Sequence, residues 1–516
     1  MNERSEQRTT RNGGSRPIAS TWRWRARRLG VWCSVAAIAA TCATAEASSR
    51  GGTAVVVAAS ASADPVPDPV RPNVVLILTD DQRYDSLFAM PNVRRLLGER
   101  GVTFDQAIAS NSLCCPSRAA ILTGGYSHTT KVWTNVYANW SPYGAWPAFH
   151  EAGDEEGTIA LALHDAGYRT ALFGKYLNEY PGGEAPPGWD RFAAFVNGQG
   201  GGYYDYDLFR QDEAGRRRVH YGAEPRDYST NVLAGDAVSF LRSVDPGDPL
   251  FLYYAPFAPH SAIVPAPRDA DTWAGHRQSL PPSFDEADVS DKPGYIRESG
   301  PLSETFARQK YELAYEALQA VDRAVGRIVA TLRATDRLRN TLLVFLSDNG
   351  IAMGDHRWDY KLTPYEESIH VPLVIRYDPL TDARAGTRTD ALVSNVDLAP
   401  TIAAVAGVPF AGVGRVDGTS LVPLLDGSAR QVRDGLLLEH ADYPGHYHVP
   451  SYCGLRTLGW TYVRYDGGVE ELYDLTADPY ELRNLAGDAA ASRTLRRLRA
   501  RTDSLCRPRP PELRWG

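Results

Sequence analysis

Val74-Val75-Leu76-Ile77-Leu78, closed by Thr79-Asp80-Asp81, is an unbroken apolar run that stops on two carboxylates. Five branched aliphatics in succession leave no polar face for water. The run therefore reads as a strand buried on both sides, the pattern of a parallel sheet covered by helices. The design returns three times. Leu342–Leu346 ends in Ser347-Asp348-Asn349-Gly350, Tyr168–Phe173 stops at Gly174-Lys175, and Phe251–Ala255 leads through Pro256 and Pro259 to His260. Four strands thus deliver charged or coordinating side chains just past their last residues, where open α/β sheets bind ligands.

Between these strands lie helical patterns, the clearest being Leu318, Val321, Val325, Ile328 and Leu332, whose alternating spacing of three and four gives one apolar stripe. Residues 72–430 accordingly read as a single α/β domain with helices on both sheet faces. Leu436–Glu439, Thr461–Tyr465 and Glu471–Leu475 follow as short β-like runs separated by Gly and Asp turns. Asp478–Ala486 and then Thr494–Leu505 read as a closing helix, so residues 431–516 form a small α+β domain. Leu373–Tyr377 reads as a further strand, with Glu366, Glu367 and His370 as structural residues on the helix leading into it.

The chain of 516 residues is 43% apolar, enough for a large core. Its beginning differs in kind. Arg23, Arg25, Arg27 and Arg28 precede an Ala-rich apolar run from Leu29 to Ala45 that exits through small residues. A basic region, a short apolar region and small exit residues predict a signal peptide over 1–47, with Arg27-Arg28 also admitting a twin-arginine route. The protein is then secreted or delivered to the cell envelope or periplasm, with no stable membrane insertion after leader removal. Residues 48–71, rich in Ala, Ser, Pro and Val, read as a flexible linker. Losing the eight Arg and three Glu of residues 1–47 takes the formal charge from −7 to −12. That acidity argues against nucleic acid or an anionic membrane as the main partner. Of the six cysteines, Cys33 and Cys42 leave with the leader, and Cys453 with Cys506 is the pair available for a disulfide.

The remaining two begin Cys114-Cys115-Pro116-Ser117-Arg118, followed by Leu122-Thr123-Gly124. A lone Cys-Cys pair is ordinarily just two small buried hydrophobes. This run, however, resembles residue for residue the signature of the type I, formylglycine-dependent sulfatases, nearest in motif to N-acetylglucosamine-6-sulfatases and arylsulfatase-like enzymes. The resemblance covers nearly everything from residue 72 onward. It implies the alkaline-phosphatase-like sandwich: a large mixed, mostly parallel sheet plus a smaller C-terminal antiparallel sheet with a helix. It also implies that Cys114 is the nucleophile precursor, oxidised to formylglycine by a formylglycine-generating enzyme or an equivalent maturase. In the aldehyde hydrate one hydroxyl attacks sulfur and the other expels sulfate, which a serine or cysteine ester would release slowly. Arg118, four residues on along a helix, faces the same way as Cys114.

Asp80, Asp81, Asp348 and Asn349 are all oxygen donors, so hard-ligand logic favours Ca²⁺ or Mg²⁺ over zinc. Any single Asp after a strand is more often a cap or turn former, but two pairs on separate strands are harder to dismiss. The resemblance implies a metal, usually Ca²⁺, bound by these four together with the residue made from Cys114. It completes the site with Arg118, Lys175 and Lys361, the two lysines also binding substrate. His260 is the candidate acid for the departing alcohol, titrating near neutrality, and a substrate contact. One departure stands out: many sulfatases carry a histidine two residues after the lysine matched by Lys175, whereas this chain reads Lys175-Tyr176-Leu177-Asn178-Glu179-Tyr180. Asn178 becomes a candidate substrate contact, and His128 and His356 stand as the two candidates for the base that releases sulfate.

The leading function is an exported hydrolase of sulfate monoesters, sulfated sugar or aryl sulfate. The alternatives are a phosphomonoester or phosphonate hydrolase of the same superfamily, and a non-catalytic binder of sulfated glycans with Cys114 unmodified. The Tyr, Trp and Gly of the rim segments Thr134–Trp146 and Asn197–Arg218 suit carbohydrate stacking.

Overall fold

The computed structural model describes residues 71–138, 141–196, 202–442 and 448–511. The leader expected at 1–47 and, apart from Arg71, the linker expected at 48–71 lie outside the described residues.

Ten strands form one mixed sheet: β1 (Asn73–Thr79), β2 (Val102–Ile108), β3 (Arg169–Gly174), β4 (Arg191–Phe195), β5 (Tyr206–Asp212), β6 (Gly215–Tyr221), β7 (Leu250–Ala255), β8 (Thr341–Ser347), β9 (Leu373–Arg376) and β10 (Thr387–Ser394). Their order is β10-β2-β9-β8-β1-β7-β3-β4-β5-β6. From β8 to β4 every pairing is parallel. The four apolar runs read from the sequence are thus four consecutive strands, β8, β1, β7 and β3, at the centre of the sheet. Pairing of Thr79 with Ser347, Ile77 with Tyr254 and Gly174 with Ala255 brings their C-terminal ends to one edge.

Among the described residues five helices have nine residues or more: α1 (Cys114–Thr123), α2 (Ser229–Ser243), α3 (Glu304–Ala334), α4 (Leu398–Ala406) and α5 (Ser492–Leu505). Alternate residues of β1 divide between the two sheet faces. Val74, Leu76 and Leu78 share a core with Ile121 and Leu122 of α1 and Leu398 and Ile402 of α4. Val75 and Ile77 share the other with Leu233 and Phe240 of α2 and the whole predicted stripe of α3, Leu318 to Leu332. Each such side chain contributes about 1.5–3 kcal/mol by leaving water. α3 is started by Ser303, whose side chain accepts from the Phe306 N–H.

The small sheet is antiparallel, in the order β11 (Leu436–His440), β12 (Tyr452–Arg456), β13 (Trp460–Tyr465), β14 (Glu470–Asp474). The sequence reading missed β12, whose Cys453-Gly454 centre lacks the β-branched signature. Cys453 is disulfide-bonded to Cys506, just past α5. One face of the small sheet meets the main body, Leu436, Leu438 and Val463 packing with Ile108, Leu113 and Leu392. The described residues all belong to one compact unit. Within the closing segment only Ser492–Leu505 is a long helix. Asp478–Ala486 is held in turns: Asp478 accepts from the Arg483 N–H at 2.8 Å, and Asn484 Oδ1 accepts from Leu472 and Ala486 N–H groups. Such side-chain bonds outcompete helix formation. Among the described residues no helix is long and apolar enough to cross a membrane.

Candidate active site

Cys114 opens α1, after an extended Leu113 that offers no side-chain cap. Asn135 caps instead, its Oδ1 accepting from the Cys115 N–H at 2.8 Å. Pro116 sits in the first turn, where its missing N–H costs no helical bond. Ser117 Oγ donates to the Asp348 carbonyl at 2.5 Å and accepts from Asn395 Nδ2 at 2.9 Å, tying α1 to the ends of β8 and β10. One turn on, fully buried Arg118 donates through Nε to Asp348 Oδ2 at 2.8 Å and through Nη1 to the Lys175 carbonyl at 2.8 Å. Its Nη2 stands 3.6 Å from Asp80 Oδ2.

The two lysines bracket the acidic turn. Lys175 Nζ donates to Asp80 Oδ2 at 2.5 Å. Lys361 Nζ lies 2.6 Å from Asp81 Oδ1 and 2.7 Å from Cys114 Sγ. Asp81 adopts a left-handed φ of 61°, which Asp tolerates better than most residues and which marks functional turns. Asp348 Oδ1 accepts from the Asp81 and Asn349 N–H groups at 3.2 and 2.8 Å. Asn349 Nδ2 donates to Asp81 Oδ1 at 2.6 Å. His260 donates from Nδ1 to the neighbouring Ser261 carbonyl. A carbonyl only accepts, so Nδ1 carries the proton and Nε2, 3.5 Å from Asp81 Oδ2, faces the cluster. The imidazole is a quarter exposed, unlike the groups beneath it.

Burial alone would raise Asp80, but Lys175, His260, Arg118 and Lys361 outweigh it and hold the carboxyl far below the usual range. Asp81 is lowered in the same way, against burial, chiefly by Lys361 and His260. Asp348 is pushed up to about 6 by burial and by Asp80. Burial pushes the Cys114 thiol up to about 12, with Asp80 adding to the effect. As a thiol it is a poor nucleophile at neutral pH, since the thiolate is the reactive form. Desolvation lowers His260 despite Asp81 and Asp80.

Asp80, Asp81, Cys114 and His260 offer ligand atoms all within 4.8 Å of one another. Asp348, held by Arg118, and Asn349 adjoin them. Asn349 Oδ1 is buried with no hydrogen-bond partner, an acceptor that a cation would satisfy. Three carboxylates and an amide oxygen make a hard donor set that fits Ca²⁺ or Mg²⁺.

A sulfatase family profile matches residues 72–408. The chain belongs to the sulfatase family. A second profile, for the C-terminal part of N-sulphoglucosamine sulphohydrolase, matches residues 354–507. The chain is 35% identical over 373 residues to the extracellular sulfatase SULF-1 homolog of Drosophila melanogaster, an alignment covering 70% of this chain and 32% of that protein. It thus spans about a third of that relative's length. It is 30% identical over 461 residues to human N-acetylglucosamine-6-sulfatase, with 81% of each covered. A solved structure in complex with its substrate, D-glucosamine-2-N,6-O-disulfate, superposes with a TM-score of 0.73 at 26% identity, covering 86% of this chain and all of that one.

Nine sequence candidates therefore meet in one place: Asp80, Asp81, Cys114, Arg118, Lys175, His260, Asp348, Asn349 and Lys361. Asn178 adjoins Cys115, its carbonyl accepting from the Trp146 N–H at 2.8 Å and its buried Oδ1 unpartnered. The other two histidines are not brought in. His128 pairs with Glu439 at 2.9 Å, and His356 pairs with Glu286 at 2.7 Å while stacking on Tyr365. Neither is among the main charges acting on Cys114, which are Asp80, Lys175, Lys361 and Asp348. The sequence reading missed Asn135 and Asn395. Asn395 carried the same signal as the others, a polar residue just past the apolar Ala391-Leu392-Val393 run of β10.

Proposed function

We propose that this chain is an exported sulfuric ester hydrolase of sulfated sugars, acting through a formylglycine made from Cys114 and a bound Ca²⁺ or Mg²⁺. The observation that carries the reading is Cys114 Sγ held 2.7 Å from Lys361 Nζ above the buried Asp80–Asp81 pair. A thiol pushed up to about 12 is ill suited to attack, which supports its replacement by an oxygen nucleophile. That replacement is a two-electron oxidation of Cβ in which sulfur leaves and oxygen enters, so an oxidising maturase is a required partner.

When present, the hydrated aldehyde supplies the attacking hydroxyl and the hard cation, held by Asp80, Asp81, Asp348 and Asn349, supplies charge to the sulfate oxygens. The residues of the chain do the rest. Lys175, Lys361 and Arg118 give the site three fixed cations against three carboxylates, so with a divalent ion the formal charge is about +2 and attracts a monoanionic ester. Arg118 also locks Asp348 in place. His260 Nε2 at the open side is the proton donor for the departing alcohol, and the negative ester beside the ring raises its proton affinity from its lowered resting value. Asn178, beside Cys115 and with its buried Oδ1 unpartnered, is proposed as a substrate contact. The base for sulfate release is left to a group of the central cluster, since His128 and His356 are engaged elsewhere.

The names of the human relative and of the bound substrate in the solved structure both point to a 6-O-sulfated glucosamine. Export is supported by the basic-then-apolar segment Arg23–Ala45 and by the extracellular sulfatase of Drosophila. We place the catalytic domain at 72–430 and the small domain at 431–516. A panel of monosaccharide sulfates, with Cys114→Ala as control, tests the reading. Turnover of 6-O-sulfated glucosamine that disappears in the variant is expected. Turnover retained in Cys114→Ala, or seen with phosphate monoesters alone, contradicts it.

A further inference from the structure

Two arginine-rich segments stand out in a chain whose formal charge is −7, and they behave differently. On β6 each arginine meets a carboxylate: Arg216 with Glu184 at 2.7 Å, Arg217 with Asp212 at 2.7 Å, Arg218 with Asp207 at 2.6 Å. On α5, Arg499 is paired with Glu470 at 2.5 Å and Arg501 with Asp434. Arg493, Arg496 and Arg497 are exposed and have no ion-pair or hydrogen-bond partner among the described residues. Leu495, Leu498 and Thr502 are the buried side of α5; at 100° per residue Arg493 lies about 170° round the helix from them, and Arg496 and Arg497 about 130° to either side. Arg493 is the surface neighbour of both Arg496 and Arg497, at i+3 and i+4, an arrangement that destabilises a helix by like-charge repulsion. The fold gains nothing from it.

We propose that Arg493, Arg496 and Arg497 form a docking face for polysulfated glycan chains, which holds a polymeric substrate while the active site processes one ester at a time. This rests on the sulfated-sugar reading above. The local field decides the partner despite the acidic whole, because charges beyond about 8–10 Å are screened at physiological salt. The face lies behind the small sheet. Leu495 and Leu498 pack on Leu455, Tyr462 and Leu472, while the opposite side of the same sheet carries Tyr452, whose hydroxyl donates to the Leu362 carbonyl beside Lys361. Helix and sheet together separate the face from the site by about 20 Å, at about 10 Å per layer. A glycan that reaches both must pass round the small domain, which takes a chain of several sugars and not a monosaccharide.

The test compares the full-length mature protein with Arg493→Gln/Arg496→Gln/Arg497→Gln, using Arg216→Gln/Arg217→Gln/Arg218→Gln as control. Retention on immobilised heparin is expected to need less salt to break in the first variant only. The slope of log affinity against log salt is expected to fall by about two to three, one counterion per lost charge. Turnover of a monosaccharide sulfate is expected to stay unchanged while KM for a sulfated polymer rises. Equal retention of wild type and the first variant overturns the docking face, as does tighter binding to anionic phospholipid vesicles than to heparin. Absence of turnover on every monosaccharide sulfate with heparin retention intact instead counts against the functional reading alone.

Discussion

Arg83 Nη1 donates to Asp355 Oδ2 at 2.8 Å, joining residues 272 positions apart in a buried ion pair. Arg83 also donates to the Ile351 carbonyl at 3.1 Å, and Asp355 accepts from the Met353 N–H at 2.9 Å. The turn bearing Asp80 and Asp81 is thereby fixed against the segment that follows Asp348 and Asn349. Arg83→Met leaves Asp355 buried without its partner, which typically costs about 3–5 kcal/mol. Urea denaturation is expected to show that loss, and calorimetry a weaker affinity for Ca²⁺ in the protein that remains folded. A loss within about 0.5 kcal/mol, the range of an ordinary surface change, contradicts the role.

His260→Ala separates leaving-group chemistry from binding. Esters of sugar alcohols need a proton as the bond breaks, whereas an activated aryl sulfate does not. The variant is expected to lose about 10²–10⁴-fold in kcat on a sugar sulfate and far less on a nitrophenyl sulfate. Equal losses on both substrates mean that His260 only binds.

A buried acidic cluster beside the small sheet sets the pH dependence of stability. Burial, then Asp355, raises Glu367 to about 7, and burial, then Glu366 and Glu367, raises Glu481 to about 8. His356 is raised too, its burial outweighed by Glu286 and Glu367. All three groups bind a proton more tightly folded than unfolded, so their contribution is complete at low pH and is lost as pH rises through the folded values. Thermal stability is expected to decline from about pH 4.5, the ordinary glutamate value, to about pH 8, and Glu481→Gln, which removes the buried charge, to flatten that decline. A rising curve over the same interval contradicts the assignment.

How much of this was legible in sequence follows from locality. Asp80-Asp81, Lys175 and Asp348-Asn349 announce themselves because an apolar strand ends beside each, and Cys114 because its neighbours form a specific run. His260 stands further on, past two prolines. Arg83 with Asp355 and Asn135 with Cys115 were invisible because each pairing is made only by the tertiary fold. β5 and β6 escaped for a different reason: Gly215-Arg216-Arg217-Arg218 lies on an exposed edge, where charged side chains protect a strand from pairing. The expected helix at Asp478–Ala486 failed because Asp478 and Asn484 bind nearby backbone instead.

The mass of the tryptic peptide containing Cys114, taken from active protein matured in its own host, tests the central claim most directly. Conversion of the thiol to an aldehyde lowers that mass by about 18 Da. The account predicts the lighter peptide, in proportion to specific activity. Full activity from protein whose Cys114 peptide keeps its unmodified mass contradicts it.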